Sequence, residues 1–353
     1  MLDKRFVNDG ISVMKLNSKQ RLFKKQLENK IKNGTYSFVN KSCIICTMNS
    51  FELLSEKDRY GLYMPVVICK NCGLVQTNPI MYKENYREFY ENEYRQIYDE
   101  MSGPSEKFFR EQYNHGKVIY EFIKQSIGHE IENKLVVEIG TGSGGILQFF
   151  KEKGNKIIGF DLEQNYLNFG KEKKLDLRIG TITEISLIEK PDIVIYSHVL
   201  EHVTNPIEEL EMLAKILTSS SVLYIEVPGI KHLNLSYDQN FLLYLQNAHL
   251  HHFTLNSLCN CTSRAGFQLV KGNNLIQSLF KLGEKNQNFI NDYDSTIEFL
   301  RKIEINYSKK ISLLKMQAKI FSVIAKIMSK TKTLHLGQVI YYKFQKSKIN
   351  SDS

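Results

Sequence analysis

The stretch LVVEIGTGSGG at positions 135–145 decides the fold class of this chain. Its first half is an apolar run of strand length, and its second half is a glycine-rich turn that leads into a helical pattern ending at Gly154. Glycines in such a turn let the backbone approach a ligand closely, and the following helix N-terminus offers free amide groups. The stretch therefore predicts a strand–turn–helix unit that binds a small molecule.

The same alternation continues along the chain. Further apolar strands are predicted at 156–162, 175–181, 192–199 and 221–229, and FQLVKG at 267–272 begins a sixth. Asn205 with Pro206 starts one intervening helix, and Thr254 caps another. Buried apolar strands that alternate with amphipathic helices predict an α/β fold with a Rossmann-like, doubly wound, mostly parallel sheet.

Four of the six cysteines form two C-x-x-C pairs ahead of this domain. Cys43 with Cys46 and Cys69 with Cys72 are separated by 22 residues. Four thiolates complete a tetrahedral zinc shell, so the pairs predict one structural zinc in an N-terminal zinc ribbon. Gly73 follows the second pair, where the turn requires a positive φ.

The glycines alone leave the bound molecule open. Gly140, Gly142 and Gly145 also satisfy the dinucleotide pattern G-x-G-x-x-G. Glu138 stands at the strand end, where its carboxylate favours a ligand's ammonium group and repels a pyrophosphate. Asp161, 21 residues after Gly140, suits both ribose hydroxyls of either ligand.

The motifs VVEIGTGSGG, GFDL, SHVLEHVTNP and YIEVPG, in this order, resemble class I S-adenosylmethionine-dependent methyltransferases over about residues 134–272. The resemblance implies S-adenosylmethionine as cofactor. Glu138 then addresses its methionine end, Asp161 its ribose, and Thr181 with Ile182 its adenine. The full predicted cofactor set is Glu138, Gly140, Gly142, Asp161, Leu162, Thr181, Ile182, Ser197 and His198.

A narrower resemblance is carried by the cysteine pairs together with CGLVQTNP, REFYENEYR and HLHHFTLNSL. These segments are similar to bacterial methyltransferases of sugar and cell-surface polysaccharide pathways that have an N-terminal zinc-binding domain. Ala248, His249 and His252 stand where that group carries Glu, His and Tyr, and the chain after Gly272 is too short for its C-terminal domain. Methylation of an oxygen on a sugar, glycan or glycolipid is therefore at least as well supported as methylation of a carbon.

Two histidines are predicted to be catalytic. His202 follows the fourth strand and His249 the fifth, at the sheet edge where open α/β folds bind ligands. Either imidazole suits removal of a hydroxyl proton near neutral pH, although a histidine there also serves to tie a loop together. Tyr94, from a tyrosine-rich segment, is predicted to cover the acceptor.

The positive charge is concentrated at the C-terminus. The chain carries a formal net charge of +9, and residues 301–353 hold twelve Lys or Arg against Glu304 and Asp352. The core is thus near neutral, so nucleic acid is not the favoured partner. The pattern of apolar residues and lysines from Lys309 to Lys330 predicts a basic amphipathic helix. This helix either packs on the catalytic domain or docks on an anionic membrane.

Five segments follow from these patterns: a helical segment at 1–40, zinc knuckles at 41–76, a helical tyrosine-rich linker or lid at 77–131, the methyltransferase domain at 132–285, and a basic helical extension at 286–353. Two other functions stay open, an RNA methyltransferase with a zinc ribbon and a non-catalytic binding protein of this fold. The N-terminus shows no signal-peptide pattern, so the expected location is the cytoplasm, with peripheral contact at the inner face of the membrane as a further hypothesis.

Overall fold

The computed structural model describes residues 1–89, 93, 97 and 103–330. Tyr94, the predicted acceptor-covering residue, lies outside the described residues, as does the chain after Lys330. By its internal contacts the chain forms two compact units, Met1–Arg301 and Lys302–Ser353. The five-segment division proposed from the sequence stays a prediction.

The N-terminal part combines short helices with an antiparallel sheet. Helix α1, within the segment at 1–40 predicted to be helical, begins at Ser18 because Asn17 and Gln20 form a capping box. In their described part, residues 77–131, predicted to be helical, also contain the end of strand β4 and the short strand β5 ahead of the helices. The elements are α1 Ser18–Lys32, β1 Phe38–Val39, β2 Phe51–Lys57, β3 Tyr63–Cys69, β4 Val75–Thr77, β5 Ile80–Met81, α2 Lys83–Phe89 and α3 Glu106–Ile127.

The central domain confirms the predicted strand–helix alternation. The Asn205 side chain caps its helix by accepting a hydrogen bond from the Glu208 N–H, and Pro206 is the first residue of that helix. Thr254 caps its helix in the same way, by accepting the Ser257 N–H. The elements are β6 Leu135–Ile139, α4 Gly145–Glu152, β7 Lys156–Asp161, α5 Gln164–Glu172, β8 Leu177–Ile179, α6 Ile182–Ile185, β9 Ile193–Ser197, α7 Pro206–Ile216, β10 Val222–Glu226, α8 Phe241–Tyr244, β11 His251–His252, α9 Leu255–Arg264, β12 Phe267–Gly272 and β13 Gln277–Leu282.

The seven-stranded sheet has the order β12-β13-β10-β9-β6-β7-β8. β6 pairs in parallel with β7 on one side and with β9 on the other, so the direction of strand addition reverses at β6. β13 runs antiparallel between β10 and β12, and the sequence did not predict it. In open α/β sheets the ligand binds at the carboxyl ends of the strands that flank such a reversal, here β6 and β9.

A second sheet of four strands, β11-β4-β3-β2, lies in the N-terminal part. Its edge strand β11 comes from the central domain, with His251 opposite Gln76 and His252 opposite Val75. The chain therefore passes from strand β10 of the large sheet to strand β11 of the second sheet and then back to strand β12 of the large sheet. Residues around the cysteine pairs belong to the same buried apolar cluster as one face of the large sheet, and α3 and α4 cover its other face.

The last helix, α10, runs from Tyr293 to Lys330 and includes the predicted basic segment. Several of its apolar side chains are exposed, namely Leu313, Leu314, Met316, Ile320, Val323 and Ile324. Within the described part of the chain, no helix combines the length and the apolar character needed to cross a bilayer.

Candidate functional site

The glycine loop after β6 is held by its neighbours at the edge of the sheet. Gly140 and Gly142 adopt positive φ angles of 71° and 55°. The carboxylate of Asp161, at the end of β7, accepts the Gly142 N–H at 2.8 Å and the Glu163 N–H at 2.9 Å. Asp161 thus shapes the loop through hydrogen bonds that its predicted ribose role did not anticipate.

Glu138 lies beneath the loop rather than on its surface. Its side chain is about 1% exposed, and Oε2 accepts the Thr141 hydroxyl at 2.8 Å. Burial raises the pKa of Glu138 to about 8, with a smaller contribution from the charge of Asp161. A cationic ligand group beside it would favour the ionised form.

Helix α3 covers the outer side of the loop. Gln112 donates from Nε2 to the Thr141 carbonyl oxygen at 3.1 Å, and its Oε1 accepts the Gly145 N–H at 3.4 Å. A Cβ at Gly142 would stand 3.0 Å from the Gln112 amide, so the close approach requires glycine there. The sequence did not single out Gln112, since nothing in the helical pattern of α3 distinguishes it.

The remaining predicted cofactor residues lie at the ends of β7, β8 and β9. Leu162 is exposed directly after β7. Thr181 caps α6, and Ile182, its first residue, is buried. Ser197 is the last residue of β9, and the next residue, His198, takes a positive φ of 57°. The structure thus places all of these residues on the carboxyl side of the strands.

The glycine loop and the segment after β9 are in direct contact. A Cβ at Gly140 would stand 2.4 Å from Cγ2 of Val199, which allows no larger residue. After Val199 the chain turns through the short 3₁₀ segment Leu200–His202. The two predicted parts of the site therefore meet at the reversal point of the sheet.

Glu201 is the centre of a group of histidines that the sequence separates. Its Oε1 is 3.6 Å from His198 Nδ1, 3.9 Å from His202 Nε2 and 3.9 Å from His249 Nε2. The two predicted catalytic histidines are thus brought together, with ring centroids 4.8 Å apart. Glu201 was not predicted as a site residue, although its position between His198 and His202 in the sequence could have indicated a role.

Burial governs the protonation of both predicted catalytic histidines. Removal from water lowers the pKa of His202 and holds the pKa of His249 well below its ordinary value. Both rings are therefore neutral near pH 7. His202 Nδ1 is 2.9 Å from the Ala248 carbonyl oxygen, so Nδ1 carries the proton and Nε2 keeps its lone pair.

A second polar group lies at the carboxyl end of β10. Glu226 Oε2 is 2.8 Å from His115 Nε2 on α3 and also accepts the Tyr224 hydroxyl at 2.8 Å. The ring of His115 is 6.3 Å from that of His198. His115 comes from a helix outside the motifs, so no sequence pattern indicated it.

The four predicted metal-ligating cysteines converge. Cys43 Sγ is 3.4 Å from Cys72 Sγ, and Cys46 Sγ is 3.4 Å from Cys69 Sγ, with all four sulfurs within 4.8 Å of one another. Zinc–sulfur bonds of about 2.3 Å in a tetrahedron place sulfurs about 3.8 Å apart, so the donor set fits a zinc ion.

Both C-x-x-C pairs adopt the same turn. The Thr47 N–H donates to the Cys43 carbonyl oxygen and the Gly73 N–H to that of Cys69, each at 2.9 Å. Thr47 and Gly73 have φ angles of 61° and 77°, which confirms the conformation predicted for Gly73. The paired turns aim the four sulfurs at one point.

A family model for methyltransferase domains matches residues 86–271, just over half of the chain. Comparison with curated proteins found no match. Among solved structures, a methyltransferase from Archaeoglobus fulgidus that depends on S-adenosylmethionine is 23% identical, with a TM-score of 0.37 over 46% of this chain and 75% of that one.

Two other solved structures are more distant in sequence. DesVI of Streptomyces venezuelae is 12% identical, with a TM-score of 0.38 over 49% of this chain and 92% of that chain. An S-adenosylmethionine-dependent methyltransferase from Mesorhizobium loti is 12% identical, with a TM-score of 0.36 over 46% and 96%. Because these TM-scores are below 0.5, the structural similarities do not support a family assignment, which depends on the family match. The chain belongs to the methyltransferase-domain family and is an S-adenosylmethionine-dependent methyltransferase.

Proposed function

We propose that this enzyme transfers the methyl group of S-adenosylmethionine to a hydroxyl of a sugar, glycan or glycolipid. The observation that carries the proposal is the convergence of the largely buried His202 and the buried His249 on Glu201, in the segment that follows the contact between Val199 and the glycine loop. A hydroxyl is a weak nucleophile until its proton is removed, so methylation of oxygen requires such groups beside the acceptor. The sugar class rests on the resemblance of CGLVQTNP and HLHHFTLNSL to sugar methyltransferases.

The donor is proposed to lie over the glycine loop. Its methionine ammonium then lies toward Glu138, its ribose toward Asp161, and its adenine beside Thr181 and Ile182. Support comes from the positive φ angles of the loop and from the position of Asp161 at the neighbouring strand end. Methyl transfer is an in-line displacement, so catalysis depends mainly on how the acceptor oxygen is positioned against the methyl group.

His202 and His249 are proposed to act on the proton of the acceptor hydroxyl. Both lie on the same side of the sheet as the glycine loop, and both are neutral near pH 7. Tyr94 remains proposed as a cover for the acceptor.

Cys43, Cys46, Cys69 and Cys72 are proposed to bind one structural zinc ion. Four thiolates leave no open coordination position, so the metal takes no part in methyl transfer. It would fix β3 and β4, whose sheet also contains β11 and thus the segment that follows His249.

The basic part of α10 is proposed to dock on an anionic membrane surface. Residues 305–330 contain six lysines and no acidic residue, and exposed apolar side chains alternate with them. Such a helix binds by apolar burial together with attraction to anionic lipids. This would hold a cytoplasmic enzyme near lipid-linked glycans.

Replacement of Asp161 by alanine removes two charge-assisted hydrogen bonds to the ribose. We expect affinity for S-adenosylhomocysteine to fall at least roughly tenfold, since each such bond contributes about 1.5–3 kcal/mol. Calorimetry measures the affinity. Asp176→Ala is the control, because Asp176 directly precedes β8, forms an ion pair with Arg178 and is not in the predicted cofactor set. Unchanged affinity in Asp161→Ala would place the donor elsewhere.

Metal analysis of the purified protein should find one zinc per chain. Cys69→Ser should lose it and expose β2–β4 to faster hydrogen exchange, because the metal contributes folding free energy directly. Cys259→Ser, whose partly buried thiol lies outside the cluster, serves as the control. Zinc-free protein with four freely titratable thiols would refute the site.

Replacement of either His202 or His249 by alanine should leave donor binding intact. Turnover of a sugar acceptor should fall by about 10² or more, the lower range for loss of a group that assists proton transfer. His251→Gln, outside the group around Glu201, is the matched control. Near-normal turnover in both alanine variants would remove the catalytic assignment.

Vesicle flotation of the full chain tests the membrane proposal. We expect flotation with vesicles of anionic lipid, a decrease as salt rises, and a clear loss in the double variant Lys315→Glu/Lys319→Glu, because each lysine contributes about 1 kcal/mol near an anionic surface. Equal behaviour with neutral and anionic vesicles would contradict docking by this helix.

A further inference from the structure

Glu201 has an unusual environment for a carboxylate. Its side chain is only 2% exposed, and neither carboxylate oxygen has a hydrogen-bond partner within the described part of the chain. Buried charges in proteins are paired or coordinate a metal ion, and a buried unpaired polar atom points to a bound group. A cation in the immediate surroundings would stabilise this carboxylate.

Imidazole nitrogens surround the same carboxylate oxygen. The ligand atoms of Glu201, His202 and His249 all lie within 4.8 Å of one another. Ligands on one face of an ion, bonded at about 2.0–2.2 Å, are separated by about 3.0–3.5 Å. The two Nε2 atoms lie 3.9 Å from Glu201 Oε1, so binding needs side-chain shifts of about 1 Å or less.

His202 is already arranged as a ligand. Its Nδ1–H donates to the Ala248 carbonyl oxygen, which directs the Nε2 lone pair toward Glu201. Metal-binding histidines commonly donate their other ring N–H to a backbone carbonyl in this way.

His249 needs one local change. The Gln246 side-chain nitrogen contacts His249 Nε2, so a cation at this nitrogen displaces the Gln246 amide. The other ring nitrogen, Nδ1, is buried without a partner within the described part of the chain. The ring is thus held in place by packing, with Nε2 directed at Glu201.

We propose that Glu201, His202 and His249 bind a divalent transition-metal ion, separate from the cysteine site. Two imidazoles and one carboxylate on one face of an ion leave coordination positions open, and this donor set suits Mn²⁺, Fe²⁺, Co²⁺ or Zn²⁺. The catalytic consequence of this site rests on the proposed function. An acceptor hydroxyl would occupy an open coordination position, and the ion would lower the pKa of that hydroxyl.

The reaction then balances without a further co-reactant. The acceptor O–H bond breaks and its proton passes to water, by way of the half-exposed His198. The oxygen bonds to the methyl carbon while the carbon–sulfur bond breaks, and sulfur keeps the electron pair. His202 and His249 act on the hydroxyl proton through the ion they hold.

Calorimetric titration of the zinc-loaded full chain with Mn²⁺ tests the site. Mn²⁺ prefers oxygen and nitrogen ligands over thiolates, so it does not compete for the cysteines. We expect one Mn²⁺ per chain, with binding at least about tenfold weaker in both Glu201→Gln and His249→Ala. Glu209 is a partly buried carboxylate that accepts the Tyr196 hydroxyl away from the cluster, so Glu209→Gln should bind Mn²⁺ normally.

Two results overturn the proposal: absence of any Mn²⁺, Co²⁺ or Zn²⁺ binding beyond the cysteine site, or equal Mn²⁺ affinity in wild type and both folded variants. In either case, methylation of sugar acceptors by the metal-free centre would leave the proposed function standing. Conversely, Mn²⁺ bound as expected in a protein that methylates no sugar or glycan would refute the acceptor class and keep the metal site.

Discussion

The parallel pairing of β6 with both β7 and β9 is the constraint on which the site depends. Glu138 lies opposite Gly159 on one side and Ile195 on the other. Because strands on the two sides are added in opposite directions, the helices that follow β6 and β9 pack on opposite faces of the sheet, which opens a crevice between the two strand ends. The glycine loop and the SHVLEH segment therefore meet at one edge, and a methyl donor and its acceptor can be held side by side.

The N-terminal sheet contributes to the same edge through the segment that follows α8. β11 leaves the central domain to pair with β4, and the Thr77 hydroxyl donates to the His249 carbonyl oxygen at 3.1 Å. The Leu250 N–H donates to the Glu201 carbonyl oxygen at 2.8 Å. The cysteine turns therefore belong to a sheet that positions His249 against Glu201, and under the proposed function this sheet helps to shape the acceptor side.

Local sequence patterns predicted the strands, the caps and the cysteine turns, because each depends on residues close together in the chain. β11 was not predicted because two histidines have no strand signal, and their pairing with Gln76 and Val75 joins segments about 175 residues apart. β13 was missed for a similar reason, since its antiparallel position between β10 and β12 is a property of the whole sheet. The contact between Glu201 and His249 was not predicted, because His249 is 48 positions further along the chain and approaches Glu201 only in the folded structure.

Hydrogen exchange of the full chain with and without S-adenosylhomocysteine tests where the methyl donor binds, since a bound ligand protects the amides that it orders. We expect protection concentrated at residues 138–145, 161–163, 181–183 and 197–202, the chain segments at the carboxyl ends of β6 to β9. Protection confined to other segments, with these four unchanged under saturating ligand, would contradict the placement of the donor at the reversal point of the sheet.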